Sequence, residues 1–147
     1  MDLTKISMKL HDKYFKAVDD DTKTVELRLY DLKRQVLHLS DWFIFKHFQN
    51  SDEEITVGIT GLMWFKTFKE ALFFIPGNKL GISSQIEYMT KNPCPTAIDE
   101  RVKWIEKLDS FNLHIGSEVL KDLNKIYTKE QEEENGVLAI FFEKVAC

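Results

Sequence analysis

Apolar and polar residues alternate in several stretches of the chain, and between these stretches the apolar spacing lengthens to three and four. Alternation is the signature of a half-buried strand, and the longer spacing that of an amphipathic helix. Ser7-Met8-Lys9-Leu10 reads as a short first strand, Val25, Leu27 and Leu29 as one face of a second, and residues 41–48 as a third. Residues 54–62 alternate again with Ile55, Val57 and Ile59 on one side, and their two glycines, Gly58 and Gly61, suit a bulge or a sharp bend. Residues 137–145 form a last strand whose run from Val137 to Phe142 is apolar on both sides, which predicts a central position in a sheet.

The helical stretches fall between and after these strands. Tyr14, Phe15 and Val18 give an apolar edge to a helix over 13–18, with Asp12 as its N-cap. Phe65, Phe68, Leu72 and Ile75 recur at helical spacing up to Pro76-Gly77; four rings and side chains in register predict core packing, since base stacking needs exposed rings. Thr96 is placed to cap a helix over 97–108, where Val102, Ile105 and Leu108 share a face and Trp104 lies near its edge. Ser117 opens another helix, with Val119, Leu120, Leu123, Ile126 and Tyr127 on one side. Thr128 and Gln131 then have the spacing of a capping box. Strands and helices in this order predict one α+β domain over 1–147, with the helix over 97–108 packed across it.

The composition narrows the function. At 147 residues with eleven Phe and three Trp the chain has ample material for one core. Its net charge of −4 argues against a broad, nonspecific grip on a polyanion, which lysines and arginines would have to supply. Cys94 and Cys147 show neither C-x-x-C nor metal-ligand spacing, so the expected compartment is reducing and intracellular, cytoplasmic or nuclear. No apolar run approaches the length of a membrane span, and no secretory signal is expected. Asp19-Asp20-Asp21 reads as a solvated turn, the glutamates at 130–134 as a solvated face, and His38 and His47 as ordinary strand histidines. No metal and no cofactor is expected. There is no P-loop, G-x-G-x-x-G, G-x-S-x-G or H-E-x-x-H.

Candidate chemistry concentrates in Asp21-Thr22-Lys23-Thr24-Val25-Glu26-Leu27-Arg28-Leu29-Tyr30. With Val25, Leu27 and Leu29 on one face of the strand, the other face carries Thr24, Glu26, Arg28 and Tyr30, and Lys23 stands where the strand leaves its turn. Residues two apart on a strand are about 7 Å apart along it, so Glu26 and Arg28 can converge on one small ligand or on each other. An anion could be held by Lys23 and Arg28, and a donor such as an exocyclic amine by Glu26. A solvent-facing ion pair on an ordinary strand has the same pattern.

The stretch resembles the G-x-K-x-x-E-x-R signature of the ASCH (activating signal cointegrator homology) domain, a branch of the PUA-like β-barrels: Lys23, Glu26 and Arg28 match it, and Asp21 stands where the signature has Gly. Tyr14 to Val18 resembles the short helix before the signature, and Asp31-Leu32-Lys33-Arg34 the run after it. Ser40-Asp41-Trp42-Phe43-Ile44-Phe45 is similar to a G-D-x-I-x-F strand with its Gly replaced, Trp64 to Ala71 to the next helix, and Ile126-Tyr127 with Gly136 to Ile140 to the closing segment. The resemblance implies a small PUA-like barrel of about five or six strands with flanking helices, and residues 82–116, which have no counterpart in it, as a helical insertion.

The function the resemblance implies is recognition of RNA or a nucleoside-like ligand beside the signature strand, through Lys23, Glu26, Arg28, Thr24 and Tyr30. Lys23 and Arg28 would hold phosphate or base oxygens, and Glu26 would accept from a base edge or ribose hydroxyl. Arg28 could instead orient Glu26 from behind. An alternative follows from small relatives that are amidohydrolases of N4-acetylcytidine, in which Lys23 and Glu26 would be the catalytic groups. Those relatives carry Thr at the Glu26 position, and a carboxylate there is expected to raise the Lys23 pKa and so oppose a catalytic role. A nuclease has no clear acid–base pair beyond Lys23 and Glu26. A further alternative is a protein-interaction module built on the insertion and any exposed face of Trp104.

Overall fold

The computed structural model describes residues 6–50, 52–75, 79–80 and 90–145, the side chains of 112–115 excepted. In chain order the elements are β1 (Ser7–Leu10), α1 (Asp12–Asp19), β2 (Val25–Leu29), β3 (Trp42–His47), β4 (Glu54–Phe65), α2 (Phe68–Phe74), α3 (Ile98–Ile126), α4 (Lys129–Asn135) and β5 (Val137–Lys144). The five strands form one curled half-barrel sheet in the order β1-β3-β4-β5-β2. Its neighbours are antiparallel except β1 and β3, which run parallel. The ladder therefore ends at β1 on one side and β2 on the other, and those two edges frame the site described below.

Each sheet face buries its own apolar cluster. Met8, Leu10, Phe43, Phe45, Leu138, Ile140 and Phe142 join Phe15 and Val18 of α1 on one face. Val25, Leu27, Leu29, Val137 and Ala139 join Phe68 and Ala71 of α2 and Val119 of α3 on the other. Strand β5 alternates between the two clusters, so both sides of its apolar run are used and its central position follows. Phe43 and Phe45 are 1% and 0% exposed, and full burial of such a side chain stabilises by about 1.5–3 kcal/mol. Phe65, Phe68 and Ile75 are core as expected, with Leu72 packed beside them, but Phe65 ends β4 and the helix begins only at Phe68.

Local backbone features follow the residues that carry them. The β4–β5 register shifts between Ile59 and Gly61, the bulge that the strand's glycines predicted. Asp21 (φ 61) and Ser40 (φ 71) both occupy the left-handed region. These are the two positions where the family pattern has glycine, so the turn geometry is kept although the residue has changed. Asp tolerates that region through its short polar side chain, whereas Ser adopts it at a steric cost. Thr128 and Gln131 form the expected capping box, with each side chain taking the other's backbone N–H.

Several helix boundaries differ from expectation. His11, not Asp12, is the N-cap of α1, and Asp12 lies in the first turn with its carboxylate on His47 and Lys16. Likewise Ala97, not Thr96, caps α3. The helices expected over 97–108 and from Ser117 are one continuous helix of 29 residues. Its first half is not packed across the sheet: Ile98, Val102 and Ile105 are at least half exposed. Trp104 is tied down locally, its indole N–H donating to the Asn92 carbonyl at 2.7 Å. His38 lies outside any strand, 3.7 Å from Asp41. The expected Pro76-Gly77 stop, Gly81, Ser83-Ser84 and Cys147 lie outside the described residues.

Candidate functional site

The free edges of β1 and β2 do not ladder together; a side chain joins them instead. Arg28 Nη2 donates to the Lys9 carbonyl at 3.0 Å. Because Val25, Leu27 and Leu29 turn to the α2–α3 face, Glu26 and Arg28 point the other way, opposite Ile140 and Leu138 on β5. A cleft of about 240 Å³ opens there, with Lys23, Glu26 and Arg28 at one end. Its walls are apolar and come from β1, Leu80 and the C-terminal turns of α3, including Val119, Leu123 and Ile126.

Lys23 precedes β2 and reaches the same cleft because the chain there bridges to Leu80 and not to a neighbouring strand. Its ammonium donates to the Val25 carbonyl at 2.7 Å and to the Leu80 carbonyl at 3.1 Å. It lies 3.7 Å from Glu26 Oε1. Two of the ammonium's three N–H bonds thus go to backbone carbonyls, and Glu26 balances its charge as an ion pair. Glu26 Oε1 also accepts from the Leu27 backbone N–H at 3.1 Å. Glu26 Oε2 stands 3.5 Å from Arg28 Nη2. This oxygen is buried and, among the described residues, has no hydrogen-bond partner. A buried acceptor left open in this way costs free energy unless something fills it.

The electrostatics follow from burial. Lys23 is 3% exposed, and desolvation pulls its pKa below the usual lysine value; Glu26 pushes upward but does not prevail, and Arg28 adds to the lowering. Here the sequence-based expectation is corrected: the carboxylate does raise the lysine, but taking the ammonium out of water outweighs it. Burial acts on Arg28 in the same sense, yet Glu26 first and Tyr127 next leave its pKa raised, so it is a permanent cation. Tyr14 donates its hydroxyl proton to Asp122 Oδ2 at 2.9 Å. Burial, and after it Asp122, holds that phenol above its ordinary range.

Of the residues named from the sequence, Lys23, Glu26 and Arg28 come together in the cleft, and Thr24 and Tyr30 do not line it. Thr24 spends its backbone on Lys79 and Phe142, and Tyr30, past the strand end, packs against the α1-face cluster. The sequence reading missed Tyr14, Asp122 and Tyr127, all of which line the cleft. The signal was present: Asp122 interrupts the apolar face of Val119, Leu123 and Ile126, and two of the aromatics on apolar faces carry hydroxyls. Such polar tips on buried faces mark a wet or ligand-facing end. Among the described residues no group of three or more His, Cys, Asp or Glu is placed to hold a metal ion. Among them too, no helix is long and apolar enough to cross a membrane.

The family model for the ASCH domain matches residues 8–146. No curated protein matches the chain. Among solved structures, the crystal structure of hypothetical protein PH0355 is 21% identical with a TM-score of 0.61, over 95% of this chain and 97% of that one. The solution NMR structure of protein PF0455 from Pyrococcus furiosus is 20% identical with a TM-score of 0.52, over 97% and 99%. At such identities the likeness speaks to the fold, and that fold is the curled sheet with its helices. With the signature lysine, glutamate and arginine converging in one cleft and the family model spanning nearly the whole chain, the protein belongs to the ASCH domain family.

Proposed function

We propose that the protein binds the base of an RNA or of a nucleoside-like ligand in the cleft, with Glu26 as the group that reads it. The observation that carries this is the buried Glu26 Oε2, which makes no hydrogen bond among the described residues. An open carboxylate oxygen asks for a donor such as an exocyclic amine, a ring N–H or a hydroxyl. Arg28 beside it supplies a donor, so acceptor and donor lie side by side, as the edge of a nucleobase requires. The ASCH domain has a PUA-like fold often linked to RNA binding, which favours the same class of ligand.

Lys23 and Arg28 take a different part from the phosphate grip that spacing suggested. Lys23 donates to the Val25 and Leu80 carbonyls and pairs with Glu26, and Arg28 Nη2 donates to the Lys9 carbonyl. Lys23 is therefore a positioning group for the carboxylate, and Arg28 ties the sheet edge while standing beside Glu26 Oε2. A cleft of about 240 Å³ lies below the roughly 300–1,000 Å³ of sites for drug-sized ligands, which suits one base better than a run of them.

Calorimetric titration of the four nucleosides into wild type and Glu26→Gln tests the reading. A charge-assisted hydrogen bond contributes about 1.5–3 kcal/mol, so the best nucleoside should lose tenfold or more in affinity. An unchanged affinity in Glu26→Gln would sink it.

One observation favours a second reading, an amidohydrolase acting on N4-acetylcytidine or a related nucleoside: burial lowers the Lys23 pKa, as a lysine base needs. Two of its N–H donors, however, are held by the Val25 and Leu80 carbonyls. Acetate release from N4-acetylcytidine that disappears in Lys23→Ala would establish hydrolysis; its absence in wild type leaves binding alone.

A further inference from the structure

We propose that His11 and Phe48 form a ledge at the cleft that receives the nucleotide next to the one whose base enters, so that the ligand is a single-stranded RNA and not a free nucleoside. The inference rests on the cleft reading above. Phe48 follows β3 and His11 caps α1; their ring centroids are 4.5 Å apart at an interplanar angle of 35°. Both residues line the cleft. Phe48 is 55% exposed, although its backbone is fixed by a 2.8 Å hydrogen bond to the Leu10 carbonyl. A rigidly held, half-exposed ring continuous with a base-sized cleft is what stacking on a nucleobase requires, because every base offers a π-face.

The charges point the same way. Inside the cleft Lys23 gives two N–H bonds to backbone carbonyls, and both it and Arg28 are paired with Glu26, so a phosphate meets a carboxylate there as well as the two cations. Lys9, which itself lines the cleft, and Lys13 stand two residues either side of His11, both exposed, and no carboxylate pairs with either among the described residues. Lys46, the register partner of Lys9 across β1 and β3, adds a third ammonium. Lys13 Nζ lies 5.2 Å from the centre of the Tyr14 ring, whose hydroxyl faces Asp122 in the cleft. The neighbouring acid, Asp12, is already engaged by His47 and Lys16. A strand with one base in the cleft and the next on the ledge would bring its linking phosphate to these free lysines.

Fluorescence anisotropy with a mixed-sequence single-stranded RNA, set beside titration of the nucleosides, separates the two levels. Wild type should bind the RNA more tightly than any nucleoside. Phe48→Ala should weaken RNA binding about tenfold more than nucleoside binding, and Phe48→Trp should restore it. Replacing Lys9 or Lys13 by Gln should flatten the log–log salt dependence by about 0.7 each. RNA bound no better than nucleoside, or equal losses for both in Phe48→Ala, would overturn the ledge and leave the cleft reading standing. Failure of wild type to bind either ligand would overturn both.

Discussion

His47 and Glu26 are both buried, at 7% and 8% exposure, but every polar atom of one is occupied and one oxygen of the other is not. His47 Nδ1 faces the backbone N–H groups of Gln49 and Asn50 at 3.1 and 3.2 Å and so accepts from both. Its Nε2 is thereby left to donate to Asp12 Oδ1 at 2.9 Å. The ring ties the β3–β4 turn to the start of α1 and has nothing left to offer. Glu26, which lines the cleft, gives one oxygen to Lys23 and the Leu27 N–H, while its buried Oε2 stands 3.5 Å from Arg28 and makes no hydrogen bond among the described residues. Burial alone therefore does not mark a functional group. What distinguishes the two is unused hydrogen-bonding capacity beside empty space.

The comparison can be broken by substitution, and the largest effect is expected at Glu26. Glu26→Ala leaves Lys23 and Arg28 buried without their shared carboxylate, and losing one partner of a buried charge cluster costs about 3–5 kcal/mol. Urea denaturation would read this directly; a loss under 1 kcal/mol would show that the cations do not depend on Glu26. His47→Ala should cost less, about 1–3 kcal/mol, because the freed N–H groups sit in an exposed turn where water can reach them. Nucleoside affinity should not follow that loss.

Two pH profiles sharpen the contrast. The folded pKa of Lys23 lies below the ordinary lysine value of 10.5, so the unfolded chain binds its proton more tightly. That contribution makes stability rise with pH in the window between the folded pKa and 10.5, and Lys23→Met should remove the rise. Tyr14 acts oppositely, its raised folded pKa costing stability only as the pH climbs past 10.0, so urea midpoints are best compared below that value. Asp12 has its pKa lowered from 3.8, through His47 and then Lys16. Its stabilisation is present above 3.8 and lost as the pH falls through the folded value; Asp12→Asn should flatten that acid limb slightly. The smallest change is expected from Asp21→Gly in the turn ahead of Lys23. Relief of the left-handed strain, offset by glycine's extra chain entropy, should shift the thermal midpoint up by no more than about 1 kcal/mol equivalent.

Much of the sheet was legible in the residues. The alternation of β1 and β2, the glycines of β4 and the two-sided apolar run of β5 each report a local periodicity that burial imposes directly. The convergence of Glu26 and Arg28 was legible for the same reason, since a two-residue spacing on a strand puts both on one face. Caps and continuity were less so. Thr96 and Asp12 are good caps in isolation, but each helix is capped one residue away, by Ala97 and His11, neither of which makes a side-chain cap hydrogen bond. A separate helix was expected to open at Ser117, yet α3 runs unbroken through Gly116, because one glycine costs a helix only about 1 kcal/mol.

The chain's own pattern settled which residues are strands, which side of β2 is polar, and which three charged groups could meet, because these depend on spacing along one element. Only the tertiary structure decided that α3 brings Asp122 and Tyr127 against β2, that Leu80 takes up Lys23, and that Glu26 Oε2 is the atom left over. Those outcomes depend on distances between segments far apart in sequence and on how much water the packing excludes. Neither quantity is written in the order of residues along a single strand.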